Sequence, residues 1–272
     1  MRPIRQTSSA TARRGSRALV AVLLLAGLAA CGGGGGGSDD GGGGGTNYLD
    51  PNSYSTAAGA SLSTPNEIAS VTRHSLALGG STVAYTATAG HLTASDSANA
   101  PEVSFFYVAY TADGAPAATR PVTFLFNGGP GSATVWLHLG SWAPKRLVTG
   151  VPATTQTAPF PYVDNTESLI DTTDLVFVDA VGTGLSEAIA PHTNQTYWGV
   201  DADAGVMRDF ILRYLAANGR AASPLFVYGE SYGTVRAPVV ARLLETGGTP
   251  VSGVVVQSSI LNYNSNCSID LP

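Results

Sequence analysis

The stretch PLFVYGESYGTV, residues 224–235, places a serine between two glycines directly after a run of apolar residues. Its centre, GESYG, matches G-x-S-x-G, the nucleophile elbow that connects a strand to a helix. The turn is so tight that the neighbours of the serine must be small or point away, and the serine hydroxyl then faces outward at the top of a sheet. The pattern therefore predicts Ser231 as a catalytic nucleophile. The alternative is a plain strand-to-helix turn with a serine near the helix N-terminus.

A second glycine-rich stretch, NGGPGS at residues 127–132, also follows an apolar run. Acyl transfer needs hydrogen-bond donors directed at the oxygen that becomes negative. One such donor is the backbone N–H after the nucleophile, here that of Tyr232, and the second comes from the loop after an earlier central strand. Consecutive glycines let a backbone approach a ligand, and proline stiffens the loop. The two motifs together predict an oxyanion hole, and the alternative is a turn that binds no ligand.

The order of apolar runs predicts an α/β fold. Residues 81–89 and 104–112 alternate in polarity, which is typical of antiparallel outer strands. Continuous apolar runs, typical of strands buried on both faces, occupy 122–129, 173–184, 224–231 and 252–259. Amphipathic helices are predicted over 201–219 and about 232–246. The buried stripe of the first helix is predicted as Val206, Phe210, Leu212 and Leu215. This alternation favours a mostly parallel sheet with flanking helices and with function at the carboxyl ends of the strands.

Three segments closely resemble successive segments of the serine carboxypeptidase family, which has the α/β-hydrolase fold: residues 126–140, 174–186 and 226–238. The resemblance implies Ser231 as nucleophile and the backbone of Gly129 and Tyr232 as the oxyanion hole. It also implies that Asn127 and Glu230 help to bind the terminal carboxyl group of the substrate. Glu230 would share a proton with that carboxylate, which accounts for the acid-pH preference expected of the family.

The sequence departs from the family pattern after the glycine-rich loop. The peptidases usually have another glutamate there, but no Asp or Glu occurs from Ser132 to Val163. This leaves the specificity for carboxyl termini open. Lys145 or Arg146 is an alternative partner for a substrate carboxylate, although a solvated pair of side chains is favoured. Asp179, beside the predicted site, is interpreted as structural.

A second departure concerns the catalytic triad, whose order in this fold is serine, acid, histidine. All four histidines precede Ser231: His74, His91, His138 and His192. Only Glu245 and Asp270 follow it as acids. We therefore expect this chain to be the N-terminal part of a longer hydrolase, with the C-terminal strands, cap, triad Asp and triad His absent. On this interpretation the chain alone is inactive.

The N-terminus predicts export and lipidation. Residues 1–30 have the charge and apolar pattern of a signal peptide, and their apolar run is too short to span a bilayer. The following LAAC resembles a lipobox, which implies lipidation of Cys31. We predict a lipidated, Gly-rich tether over 31–60 and the N-terminal part of the hydrolase domain over 61–272. The chain is then an exported, membrane-anchored lipoprotein that faces the periplasm or the cell surface.

Charge and motif content exclude several classes of partner. Without the five arginines of the leader, nine basic residues face 19 acidic ones, a net charge of −10. Such a chain lacks the basic surface that nucleic acid requires, so membrane attachment is expected through acyl chains. No cofactor is expected, since the sequence has no metal-ligand spacing and no phosphate-binding loop. The expected partners are the C-terminus of a peptide, the membrane and a C-terminal half, which would also account for the unpaired Cys267.

Three functions follow from these observations. The leading one is a serine carboxypeptidase that hydrolyses C-terminal peptide bonds through an acyl-enzyme on Ser231. An esterase or acyltransferase could use the same residues. The third is a surface lipoprotein that keeps the fold for binding without catalysis.

Overall fold

The computed structural model describes residues 49–149 and 159–260. The predicted signal peptide, Cys31, Cys267 and most of the predicted tether lie outside these residues.

Within these ranges the chain forms ten strands. In chain order they are β1 (Ala69–Leu78), β2 (Ser81–Ser95), β3 (Pro101–Ala112), β4 (Val122–Phe126), β5 (Lys145–Leu147), β6 (Tyr162–Asp164), β7 (Asp174–Val178), β8 (Glu187–Ala188), β9 (Leu225–Glu230) and β10 (Gly253–Gln257).

Helical segments connect the strands. They are α1 (Val135–Leu137), which continues as a π-helical turn over His138–Trp142, a 3₁₀ turn at Asn194–Tyr197, α2 (Val200–Ala217) and α3 (Gly233–Thr246). None of the helices in the described ranges combines the length and the apolarity needed to cross a bilayer.

The large sheet has the strand order β1-β2-β3-β7-β4-β9-β10, with β8 paired to β3. Strands β7, β4, β9 and β10 are parallel, whereas β1, β2 and β3 are antiparallel to their neighbours. Strands β5 and β6 form a separate antiparallel pair. The sequence prediction of outer antiparallel strands beside parallel strands is thereby confirmed.

Both faces of the central strands are covered. Every residue of β4 and β7 is buried. On one face, α2 and α3 contribute Met207, Phe210 and Val240 to a core with Phe124. The other face packs Leu125 and Phe177 against Leu137 and Ile170.

The predicted buried stripe of α2 is wrong at one position. Leu212 is 38% exposed, whereas Met207, Ile211 and Tyr214 are buried. The helix turns these residues toward the sheet together with Asp203, because positions separated by three, four and seven residues share a helix face. Leu212 lies one position outside that face.

Strand β10 has the apolar run of a strand buried on both faces, but the expected absence of the C-terminal strands also predicted that this run would be left as a bare edge of the sheet. Val254, Val255 and Val256 are 40%, 41% and 46% exposed. Among the strands of the described ranges, β10 pairs only with β9. Within the described residues, this exposure agrees with the predicted edge and not with the burial that the apolar run alone indicates.

The described end of the predicted tether packs against the domain. The Ser55 N–H donates to Glu187 Oε2 at 2.7 Å, and Asn194 Nδ2 donates to the Ser55 and Ala57 carbonyls at 2.8 and 3.0 Å. Leu62 N–H donates to a β8 carbonyl at 2.8 Å. These contacts hold residues 55–62 against the domain, whereas the glycine-rich run at 32–45, whose composition predicted a flexible coil, lies outside the described residues.

Candidate active site

The G-x-S-x-G motif forms a tight turn between β9 and α3. Ser231 has a φ of 55°, which is in the left-handed region that non-glycine residues rarely adopt. A Cβ on Gly229 would lie 1.9 Å from the Gly233 carbonyl oxygen, and a Cβ on Gly233 would lie 2.6 Å from the Phe126 carbonyl oxygen. Only glycine fits at both positions, which explains the spacing of the motif.

The glycine-rich loop after β4 lies directly against this turn. A Cβ on Gly128 would lie 2.3 Å from the Tyr232 backbone nitrogen and 2.9 Å from the Ser231 Cβ. Gly129 follows with a φ of 111°, a conformation that strains any other residue. The loop thus lies against Ser231 and Tyr232 through Gly128, and Gly129 lines the same cavity as Ser231.

Asn127 and Glu230, predicted to bind the substrate carboxyl group, contact each other. Asn127 Nδ2 donates to Glu230 Oε2 at 2.9 Å, and the Leu137 N–H donates to Asn127 Oδ1 at 3.0 Å. Asn127 is 1% exposed, so both ends of its amide are held in a buried setting. Glu230 immediately precedes Ser231, which places its carboxyl group beside the elbow.

These groups line a single cavity of about 360 Å³ at the carboxyl ends of the parallel strands. Its walls include Asn127, Gly129, Glu230 and Ser231, together with Trp136 and Gln257. Trp136 lies in the segment where the family has a second glutamate, and its side chain is 65% exposed. The cavity therefore combines three serine hydroxyls, two side-chain amides and one carboxyl group with an aromatic side.

Arg236 and Asp203, which no sequence motif indicated, lie behind the elbow. Arg236 Nε is 2.7 Å from Asp203 Oδ2, and the side chains are 3% and 7% exposed. Arg236 Nη1 donates to the Asn127 carbonyl at 2.9 Å. An arginine within the predicted apolar α3 and an acid in α2 were the available signals, but their pairing depends on how the two helices pack.

Asp179, interpreted from the sequence as structural, makes backbone contacts beside the site. Its Oδ1 accepts the Thr134 N–H at 2.8 Å, and a Cβ on Gly184 would lie 1.9 Å from its Oδ2. Burial raises the pKa of its carboxyl group to about 6, against the opposing effect of hydrogen bonds from Thr134 and Leu185. The carboxyl group therefore links the loop after β4 to the loop after β7.

None of the four histidines hydrogen-bonds to Ser231, and all four lie in the described part of the chain. His91 Nε2 is 3.0 Å from the Leu185 carbonyl oxygen, and His138 Nε2 is 2.7 Å from the Tyr110 hydroxyl. The other two rings pack elsewhere: His74 against Tyr85, and His192 against Tyr197. Burial lowers the pKa of His138 to about 4, so this ring is neutral at ordinary pH.

Lys145, the alternative partner for a substrate carboxylate, is already paired. Its Nζ lies 2.6 Å from Asp164 Oδ1, where β5 meets β6. It is not among the residues that line the cavity at Ser231. Within the described ranges, no group of three or more His, Cys, Asp or Glu side chains could hold a metal ion.

Solved structures with similarity to the chain include several hydrolases. A prohormone-processing carboxypeptidase from Saccharomyces cerevisiae is 19% identical over 63% of this chain and 38% of its own, with a TM-score of 0.47. Juvenile hormone epoxide hydrolase from the silkworm Bombyx mori is 14% identical over 63% of this chain and 35% of its own, with a TM-score of 0.35. A bacterial heroin esterase is 17% identical over 62% of this chain and 44% of its own, with a TM-score of 0.36. The chain thus spans less than half the length of each.

Comparison with curated proteins found no match. Comparison with family models matches residues 79–257, more than half of the chain, to the family described as serine carboxypeptidase. The match includes the turn at Ser231, the glycine-rich loop and the strands that hold both. It confirms the resemblance inferred from the sequence, and the sheet has the parallel core and flanking helices of the α/β-hydrolase fold. The chain therefore belongs to the serine carboxypeptidase family.

Proposed function

We propose that the protein is a serine-type carboxypeptidase that removes the C-terminal residue of a peptide through an acyl-enzyme on Ser231. The observation that carries this proposal is the contact between Asn127 and Glu230 in the same cavity as Ser231. An amide donor and a carboxyl group next to the nucleophile can bind a terminal carboxyl group and leave the preceding peptide bond near the hydroxyl. Because the chain spans less than half of the solved relatives, the activity is proposed for the full-length protein.

In the proposed reaction, Ser231 Oγ attacks the carbonyl carbon of the last peptide bond. The negative oxygen of the tetrahedral intermediate accepts hydrogen bonds from the Gly129 and Tyr232 backbone N–H groups. The C–N bond then breaks, the amine leaves with a proton, and water hydrolyses the acyl-enzyme. The terminal carboxyl group of the substrate is held beside the paired side chains of Asn127 and Glu230.

The serine proton needs a base, and we propose that the base is a histidine from further sequence of the full-length protein. The partners of His74, His91, His138 and His192 support this, since each ring is engaged away from Ser231. Serine hydrolases without a complete triad keep only about 10³- to 10⁴-fold acceleration over water. The 272-residue chain alone is then expected to show near-zero turnover.

The test is release of the last amino acid from an N-blocked dipeptide by the full-length protein, from about pH 4 to about pH 8. The matched substrate is the same dipeptide with a C-terminal amide, which lacks the carboxylate. Expected is release from the free acid but not from the amide, and none with Ser231→Ala. The variant Glu230→Gln should raise KM for the free acid, whereas Glu245→Gln, at an exposed position on α3, should not. Equal cleavage of acid and amide would contradict carboxyl-terminal recognition.

An esterase is the second candidate, and the composition of the cavity favours it. Glu230 is the one carboxylate among the described residues that line the cavity, and Trp136 and Leu137 occupy the segment of the family's second glutamate. A cavity with one carboxyl group and an aromatic wall also suits an uncharged ester. Turnover of the ethyl ester of the N-blocked amino acid without release from the dipeptide would favour this candidate.

We also propose that the protein is an exported lipoprotein attached to the membrane through Cys31. The apolar run before this cysteine and the LAAC sequence support the proposal. Feeding cells an alkyne-labelled fatty acid should label the wild-type protein and Cys267→Ser. The variant Cys31→Ser should lose the label, and retained labelling would contradict the proposal.

A further inference from the structure

We propose that Arg236, oriented by Asp203, is a positioning residue that holds both halves of the oxyanion hole in register. This inference rests on the function proposed above and adds a residue to the machinery of that site. Arg236 lies on α3, five residues after Ser231, and its side chain is 3% exposed. It does not reach the cavity at Ser231, so it acts through the backbone segments that it contacts.

The first contact is with the loop that supplies one donor. Arg236 Nη1 donates to the Asn127 carbonyl oxygen at 2.9 Å. That carbonyl belongs to the peptide group before Gly128, two residues from the Gly129 N–H. Glycines have no side chain that could pack and fix their backbone, and Gly129 has a φ of 111°. The charged hydrogen bond from Arg236 to the Asn127 carbonyl therefore restrains a loop whose glycines have no side chains to hold it in place.

The second contact is with the residue that supplies the other donor. The guanidinium carbon of Arg236 lies 5.5 Å from the centroid of the Tyr232 ring and 6.0 Å from that of Phe126. Cations within about 6 Å of an aromatic ring are attracted to its face. One cation thus contacts the residue after the nucleophile and the last residue of the strand before the loop.

Asp203 sets the orientation of the cation. Its Oδ2 accepts from Arg236 Nε at 2.7 Å, and both side chains are buried. A guanidinium presents its donors in fixed directions in one plane, so a bond at Nε determines where Nη1 points. A lysine has a single terminal nitrogen and cannot hold Asp203 and the Asn127 carbonyl in the same way.

A second buried arginine provides the contrast. Arg220 pairs with Asp174 and donates to the Arg120 and Pro121 carbonyls at 2.9 and 3.3 Å, before β4 begins. It has the same chemistry as Arg236 but lies at the opposite end of the strand. Arg220→Met is therefore the matched control for loss of a buried, paired arginine without a contact to the site.

The test uses the full-length protein and the variants Arg236→Met, Arg236→Lys and Asp203→Asn. Substrates are an ester and its thionoester, in which sulfur replaces the carbonyl oxygen and accepts hydrogen bonds poorly. Because oxyanion donors act in the transition state, kcat for the ester should fall about 100-fold in Arg236→Met while KM changes little. The ratio of the ester rate to the thionoester rate should fall together with kcat for the ester. Arg236→Lys and Asp203→Asn should show smaller effects of the same kind.

The control separates positioning from stability. Arg220→Met should lower the Tm but leave kcat and the ester preference unchanged at a temperature where it is folded. The inference is overturned if Arg236→Met keeps the wild-type kcat and ester preference. It is also overturned if the ester and thionoester rates fall equally in all three variants, because the loss of rate then does not come from the hydrogen bonds of the oxyanion hole.

Hydrogen exchange gives a readout that does not need turnover. The amides of residues 127–129, 131 and 132 should exchange at least about 10-fold faster in Arg236→Met and Asp203→Asn than in the wild type, because the loop loses its restraint. Exchange in α2 away from Asp203 should change less. Unchanged exchange of the loop would overturn the inference. If the wild type hydrolyses no substrate while the loop still loosens, the proposed function fails and the positioning role stands.

Discussion

Two carboxylates mark the two ends of β7 and differ in what surrounds them. Asp174, at the N-terminal end, accepts from Arg120 Nε at 2.6 Å, from Arg220 and from the Ala112 N–H at 2.9 Å. Asp179, just past the C-terminal end, accepts backbone N–H groups and pairs with no arginine in the described residues. At one end of the strand a carboxylate is shared by two arginines, and at the other end burial raises the pKa of a carboxyl group to about 6.

The same difference extends to the neighbouring strands. The N-terminal ends of β4 and β9 converge on the network of Asp174, where Arg220 also bonds to Ser223 and to carbonyls before β4. The C-terminal ends converge on a cavity and on Ser231, whose backbone is strained. In open α/β sheets, ligands bind outside the carboxyl ends of the strands. We infer that stability is concentrated at one end of this sheet and chemistry at the other.

The largest expected effect is at the N-terminal end. Asp174→Ala leaves the buried Arg220 and the partly buried Arg120 without their shared carboxylate and should lower the free energy of unfolding by about 3–5 kcal/mol. The control is Asp164→Ala, which removes an equally short ion pair at 55% exposure and should cost at most about 1 kcal/mol. Chemical denaturation of both variants checks this. Similar losses in the two variants would remove the basis for the comparison.

The next effect concerns pH at the C-terminal end. The pKa of Asp179 is raised to about 6 from 3.8, so between these values the folded state keeps a proton that the unfolded state has lost. Stability therefore falls as pH rises from about 4 to about 6, by about 3 kcal/mol for this group. Asp179→Asn should gain that amount relative to the wild type between about pH 4 and about pH 7. If the free energy of unfolding changes with pH in the same way in the wild type and in Asp179→Asn, burial does not raise the pKa of this carboxyl group.

A smaller loss is expected where the loop touches the elbow. In Gly128→Ala the new Cβ would lie 2.3 Å from the Tyr232 backbone nitrogen, so the two segments must separate. We expect about 2 kcal/mol of destabilisation together with loss of hydrolysis by the full-length protein. Gly205→Ala in α2 is the control, since nothing lies within 4 Å of its Cβ and alanine favours helix, which should stabilise by about 0.5–1 kcal/mol.

The smallest effect is relief of strain at the nucleophile. Ser231→Gly removes the side chain from a backbone with a φ of 55° and should stabilise the protein by about 1 kcal/mol while abolishing acylation. Ser231→Ala also abolishes acylation but keeps the strained conformation, so its stability should match the wild type. Equal stability of the two variants would mean that no strain is stored at Ser231.

The sequence predicted those parts of the site that depend on local geometry. The turn at Ser231 has room only for glycine at positions 229 and 233, so its motif can be recognised from the sequence alone. The same holds for the loop at Gly129, whose backbone conformation favours glycine. The pairing of Arg236 with Asp203 depends on the packing of α2 against α3, which no local pattern encodes. The packing of Ser55 likewise depends on distant partners such as Glu187.

The central claim is that Ser231 is the nucleophile and that none of the four histidines activates it. The most direct test is treatment with a fluorophosphonate, followed by mass spectrometry of the full-length protein and of the 272-residue chain. We expect one adduct on the peptide that contains Ser231 in the full-length protein, absent from Ser231→Ala, and no rapid adduct on the 272-residue chain. An adduct on another residue, or rapid labelling of the 272-residue chain, would contradict it.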